Sequence, residues 1–152
     1  MHWPLRRGKS TIPMSRLQKT RVACYGLIVR DGRILLCRLS QVERHVGKWT
    51  LPGGGIEFGE HPHDALVREV FEETGLKVES YAFRAIDSFC APLDDVDFHS
   101  IRILFDVEAS GELVVEEDGT TDDVRWFSIE DLAGVELVEL AQMGIELALP
   151  GI

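Results

Sequence analysis

No run of apolar residues in this chain approaches the roughly 20 needed to cross a bilayer as a helix. Its N-terminus also lacks the apolar stretch of a secretory signal. These absences predict a cytoplasmic protein that makes no use of a membrane. Cysteine is scarce and odd in number. Cys24, Cys37 and Cys90 lie in apolar, strand-like stretches with no CxxC spacing and no histidine at zinc-ligand spacing, which argues against a disulfide framework or a zinc site and predicts free thiols in the core. Positive charge is in deficit: 16 Lys and Arg face 26 Asp and Glu, for a net charge of −10. Affinity for a polymeric nucleic acid comes largely from Lys and Arg against phosphate, so no such partner is expected.

What positive charge there is gathers at the start. Residues 1–21 hold Arg6, Arg7, Lys9, Arg16, Lys19 and Arg21 and no acid, so the body of the chain is more acidic than its net charge indicates. Residues 1–19 show no sustained hydrophobic period and are expected to form a basic extension outside the core. Residues 20–152 are expected to form one domain, since a chain of 152 residues is long enough for a single full core.

Apolar runs at Val22–Val29 and Ile34–Leu39 flank the turn signal Asp31-Gly32 and predict a hairpin. A polar loop with Arg44, His45 and Lys48 leads to the extended Trp49–Leu51, and then come Pro52 and three glycines. The segment from His61 to Thr74 predicts a helix, with Pro62 in its first turn and Gly75 as its stop. A strand is expected within Val78–Phe89 and an acidic loop over Ala91–Asp97. Ile101, Ile103, Phe105 and Val107 alternate with Arg102, Leu104 and Asp106, the period of a strand with one buried face. A short strand Leu113–Val115, a second acidic loop Glu116–Asp123, a strand Val124–Phe127, a cap at Ser128 and a closing helix Val138–Leu147 complete the chain. Strands, a central helix, more strands and a last helix make an α+β fold with a mixed sheet.

The central helix carries the chemistry. Spacings of three and four residues bring Glu69, Glu72 and Glu73 towards one another on one face, opposite Leu66, Val67, Val70 and Phe71. Each like-charged pair costs a helix roughly 0.2–0.5 kcal/mol, with no return unless a cation joins the oxygens. A divalent-metal site for phosphate chemistry is the expectation. His61 and His63 at the helix start are expected to be turn residues, because magnesium prefers oxygen. Trp49 is expected in the core.

Written with U for an apolar residue, the stretch from Gly54 to Leu76 reads G-x5-E-x7-R-E-U-x-E-E-x-G-U. This resembles the Nudix box, the signature of the Nudix hydrolases, in its MutT-like form. Every defined position agrees, and a chance match is roughly one in a billion per starting position. The flanking Gly-Lys-Trp-Thr-Leu-Pro-Gly-Gly and Val-Arg-Trp-Phe-Ser also look like family members, which extends the resemblance over about residues 20–149.

The resemblance implies an α/β/α sandwich and hydrolysis of a diphosphate linkage in a nucleoside diphosphate derivative or nucleoside triphosphate. Attack on phosphorus would be in line, by a water activated by Mg²⁺ or Mn²⁺. It implies Glu69, Glu72, Glu73 and the Gly53 carbonyl as metal ligands, and Glu60 with Arg68 as the pair bracing the loop against the helix. Glu72 is the first candidate for general base. Loop carboxylates are the alternatives, Asp94, Asp95 and Asp97 in the first loop or Glu117, Asp122 and Asp123 in the second. Arg38 and Arg44 are candidates for substrate phosphate. A Nudix-fold module that binds nucleotide without cleaving it is the competing reading, although such modules typically lose box glutamates that this chain keeps. A prenyl diphosphate isomerase is a further one, without a cysteine placed for it. The partner implied is a small nucleotide; a homodimer is compatible with the sequence and not required by it.

Overall fold

Asp31 and Gly32 take φ of 52° and 75°, the left-handed pair that a two-residue hairpin loop requires. They join β1 (Leu17–Arg30) to β2 (Arg33–Leu39), with Val29 opposite Ile34. The computed structural model describes residues 16–41 and 45–150. Over that span the chain continues with β3 (Trp49–Thr50), β4 (Gly53–Gly55), α1 (Pro62–Thr74), β5 (Lys77–Leu93), β6 (Val96–Ser110), β7 (Thr121–Phe127), a 3₁₀ turn Glu130–Leu132 and α2 (Glu139–Ala148). Among these residues no helix is long and apolar enough to cross a membrane.

The sheet runs β3-β2-β1-β6-β5, with β4 paired to β1 and β7 to β2. It is mixed, because β1 and β6 run parallel while the other pairings are antiparallel. Alternation along β1 and β2 sends residues to two cores, as a sheet covered on both faces demands. Leu27, Ile34 and Leu36 pack with Trp49, Leu51, Phe127 and the α2 residues Leu140, Ala141 and Ile145. Cys24, Ile28, Leu35 and Cys37 pack on the other face with Leu66 and Val70 of α1. The result is the expected three-layer α/β/α sandwich. Trp49 is buried and meets Phe127 edge-on, with ring centroids 4.9 Å apart.

Several boundaries depart from the sequence reading. The first strand begins at Leu17, ahead of the expected strand start at Val22 and of the expected domain start at residue 20, because β6 supplies main-chain partners to residues 17–21 whatever their polarity. Residues 1–15, the greater part of the basic leader, lie outside the described residues. The acidic loop at 91–97 is instead a tight hairpin turning at Asp94 and Asp95, with β5 continuing to Leu93. β6 is buried on both faces rather than one: Arg102 and Leu104 are as enclosed as Phe105 and Val107, since β6 lies between β1 and β5. Leu113–Val115 is not a strand; Leu113 packs against the core on the α1 side, and Val114 N–H donates to Thr74 O at 2.8 Å. Ser128 caps as expected, its hydroxyl accepting from Asp131 N–H while Asp131 accepts from Ser128 N–H.

Cys90 departs from the core reading as well. Cys24 and Cys37 are buried, whereas Cys90 lies exposed on β5, a strand paired on one side only. Burial, helped by Glu60, pushes the Cys24 thiol up to about 11, and burial pushes Cys37 well above its usual value, with Glu73 and Asp123 adding to it. Since the thiolate is the reactive form, native protein is expected to take up a single equivalent of iodoacetamide, and the Cys90→Ser variant none. Modification of two or three thiols without denaturant would contradict this burial.

Candidate active site

The N-cap of α1 is His61, whose Nδ1 accepts from His63 N–H at 3.1 Å. Gly75 ends the helix in the left-handed conformation, with φ 78°. Ala65, Leu66, Val70 and Thr74 face the core, whereas Val67 is 38% and Phe71 61% exposed. The expected anchoring face was therefore turned too far. The glutamate face is correspondingly split, and Glu73 lies on the buried side. Enclosing Leu66 and Val70 contributes roughly 1.5–3 kcal/mol each, well above the like-charge cost of the glutamates, so the helix tolerates its acidic face.

The three glutamates stand in three environments. Glu73 is buried, and its Oε2 accepts from Gly53 N–H at 3.0 Å and its Oε1 from the Thr120 hydroxyl at 3.4 Å. Burial pushes its carboxyl up to about 8; the Gly53 N–H opposes the rise, and Glu69 and Glu72 add to it. Glu69 accepts from Arg68 Nη1 at 2.9 Å. Burial raises its carboxyl too, against the pull of Arg68 and, more weakly, of Arg21. Glu72 has the freest side chain, 43% exposed, and accepts from the same Arg68 nitrogen at 3.2 Å.

Arg68 ties these groups to the preceding loop. Its Nε and Nη2 each lie 2.8 Å from a Glu60 oxygen in a two-pronged pair, and Nη2 also donates to Gly55 O at 3.1 Å. That pair, together with the Glu57 N–H, holds the Glu60 carboxyl down to about 2. The brace expected between Glu60 and Arg68 is thus present in full.

β4 has no side chains; Gly53 is required by the backbone, and Gly54 leaves the room that the Glu69 carboxylate occupies. A Cβ at Gly53, where φ is 148°, would stand 2.1 Å from Cys24 O, and one at Gly54 would stand 2.5 Å from Glu69 Oε2. Gly54 lies opposite Cys24, while Gly26 N–H donates to Pro52 O and Ile56 N–H to Val22 O. Antiparallel alternation then turns the main-chain groups of Gly53 and Gly55 away from β1. For Gly53 that is the side of Glu73.

Glu69, Glu72 and Glu73 line one cavity of about 320 Å³ together with Glu116, Glu117, Asp118, Gly119, Thr120 and Thr121. Among the described residues no three His, Cys, Asp or Glu side chains stand ready-made around a metal position; Arg68 lies between Glu69 and Glu72. The donor set is nevertheless all oxygen, as Mg²⁺ or Mn²⁺ would require. Of the candidate loop carboxylates, Glu117 reaches this cavity. Asp122 pairs with Arg38 at 2.7 Å, and Asp123 pairs with Arg125 at 2.8 Å, so neither lines it. Asp97 pairs with Arg16 and lies level with Gln18, six residues along β1 from the Gly54 level, or about 20 Å at strand rise. That distance removes the first loop. Arg38 leans over Trp49, 5.8 Å from the ring, and is held by Asp122. Arg44 lies outside the described residues. Glu116, Asp118 and Thr120 are not singled out by the sequence, where their signal is the acidic loop itself, and neither is Arg21, which the sequence shows only as the last positive charge of the basic stretch 1–21.

A family model for the NUDIX domain matches residues 17–144. The chain belongs to the Nudix family. It is 35% identical over 121 residues to the nucleoside triphosphatase NudI of Escherichia fergusonii, covering 73% of this chain and 84% of that one. To the ADP-ribose pyrophosphatase of Methanocaldococcus jannaschii it is 34% identical over 136 residues, covering 84% and 76%. The MutT NUDIX hydrolase of Burkholderia pseudomallei superposes with a TM-score of 0.71 at 29% identity, over 85% of this chain and 98% of that one. This Nudix chain is accordingly an enzyme, a hydrolase of the pyrophosphatase type.

Proposed function

We propose that this Nudix hydrolase cleaves a diphosphate linkage in a nucleoside diphosphate derivative or a nucleoside triphosphate, with Mg²⁺ or Mn²⁺ as cofactor. The observation that supports it is the acidic cavity in which the three helix glutamates meet the 116–121 loop. Glu69, Glu72, Glu73 and the Gly53 carbonyl would hold the ion, which when bound neutralises substrate charge and lowers the pKa of a water.

The protein's own groups divide the remaining work. Glu73, fixed by Gly53 N–H and Thr120, and Glu69, fixed by Arg68, have little freedom and serve as anchors. Glu72 is freer and takes the proton from the attacking water as the new P–O bond forms in line with the departing phosphate. Arg68, clamped by Glu60, is a positioning residue that orients Glu69 and Glu72. Glu117 is the loop carboxylate that remains as an extra base or ligand. An enzyme of this kind would meet its nucleotides in the cytoplasm.

A panel of nucleoside triphosphates, nucleoside diphosphate sugars and ADP-ribose, assayed with Mg²⁺ and Mn²⁺, is expected to yield phosphate or nucleoside monophosphate products that disappear in excess EDTA. Undiminished release in EDTA would refute the metal. Tight binding of panel members with no cleavage of any would favour the non-catalytic module.

A further inference from the structure

Successive residues of a strand present opposite faces of a sheet, and in β4 both faces are bare. On the Gly54 face stands the Glu69 carboxylate. On the Gly55 face stands Arg21: a Cβ at Gly55 would lie 3.3 Å from Arg21 Nε and 3.4 Å from Nη2. The register requires this arrangement, because Gly55 pairs with Ala23, and Arg21 lies two residues earlier on the same face of β1. Tyr25 lies two residues later on that face, and Arg21 Nη1 donates to its hydroxyl at 3.3 Å.

Arg21 is unusual among the arginines near the site. Arg38 and Arg68 are each paired with carboxylates. Arg21 makes no ion pair with a described residue, and the Tyr25 hydroxyl takes one of the five N–H groups its guanidinium offers. In a protein of net charge −10, a half-buried guanidinium that forms no ion pair with a described carboxylate, and feels Glu69 only as a weaker neighbour across β4, is placed for an anion that is not part of the chain. Phosphate oxygens match its planar fork.

We propose that Arg21, oriented by Tyr25, binds the phosphate of the nucleotide substrate that lies across the glycine strand from Glu69. This rests on the hydrolase reading above. The carboxylate side would handle the reacting phosphate, and Arg21 its neighbour, so the two charges of a diphosphate would be met on the two faces of β4.

The test compares wild type with Arg21→Gln and Arg21→Lys in the full chain. Calorimetry would follow an imido-bridged, non-hydrolysable nucleoside triphosphate, the corresponding free nucleoside, and Mn²⁺ alone. Arg21→Gln is expected to weaken the triphosphate analogue roughly 10- to 100-fold, the range for hydrogen bonds to a charged group. KM should rise with it, Arg21→Lys should recover part of the affinity, and Mn²⁺ binding should stay within about two-fold of wild type. Unchanged analogue affinity in Arg21→Gln would overturn the proposal, as would an equal loss for the phosphate-free nucleoside. If Arg21→Gln loses its thermal transition, Gly55→Ala reads the same contact, because its methyl presses on the guanidinium; wild-type affinity there would also count against the assignment. Wild type that cleaves its substrate beside an Arg21→Gln that binds normally removes this inference alone. Wild type that cleaves nothing yet binds the analogue through Arg21 removes the hydrolase reading and keeps the inference.

Discussion

Glu72→Gln is expected to lower kcat by about two to four orders of magnitude, the range for loss of a positioned general base, while Tm stays near that of wild type. The expectation follows from what the side chain does in the fold, which is little. It is 43% exposed, and its one hydrogen bond among the described residues is a 3.2 Å bond to Arg68 on the helix surface. An exposed pair at that spacing is worth about 0.3–0.5 kcal/mol, and the amide retains an oxygen for it. What the amide cannot do is accept the proton of the attacking water. Turnover at saturating Mg²⁺ and a thermal melt separate the two effects. A folded variant with near-wild-type kcat would move the base elsewhere, with Glu117 the first alternative.

Glu73 gives the second large effect, on stability. Its carboxyl is pushed up to about 8 in the folded chain from an ordinary 4.5, chiefly by burial. Between those values the folded chain keeps a proton that the unfolded chain has released, so raising the pH favours unfolding. In excess chelator the stabilisation is complete below about pH 4.5 and falls as pH rises through about 8, by at most about 1.4 kcal/mol per pH unit for one proton. Ion binding requires the carboxylate, so affinity for Mg²⁺ or Mn²⁺ should climb over the same interval and release a proton. The measurement is urea unfolding of chelated wild type and Glu73→Gln from pH 5 to pH 8. Because Glu69 is also raised, the difference between the two proteins carries the result. A difference that does not change with pH would show that Glu73 is already ionised in the folded chain.

Much of the site could be read in the sequence because its parts are local. The glutamate spacing lies within one helix, where 3.6-residue geometry sets who meets whom, and the Gly75 stop follows directly after it; the Glu60–Arg68 brace, with Glu60 in the loop before the helix, is legible through the family resemblance. The hairpin at Asp31-Gly32 is local in the same way. Glu73 shows where this stops. Helical spacing places it beside Glu69 and Glu72, but its burial depends on β4 and Thr120 packing over it from distant parts of the chain. The anchoring face differs from the helical projection for the same reason: Val67 and Phe71 have the right chemistry for a core, yet the fold leaves them exposed.

The loops show the contrast most clearly. By composition, Ala91–Asp97 and Glu116–Asp123 are both acidic candidates, and the sequence favours the second only slightly, because it leads into Val124–Trp126. Pairing between β1 and β6 carries the first about 20 Å from the glutamates, whereas the second lines their cavity at Glu116, Glu117 and Asp118. Arg21 is a similar case, one more positive charge of the basic stretch 1–21 by composition and a neighbour of Gly55 by register. The sequence by itself determined the family and the box residues, because the 54–76 motif is contiguous along the chain, and through that resemblance it implied the layered fold. Tertiary structure alone decided which glutamate is buried, which acidic loop lines the cavity and which arginine lies against the glycine strand, because burial and long-range strand register are properties of no single segment.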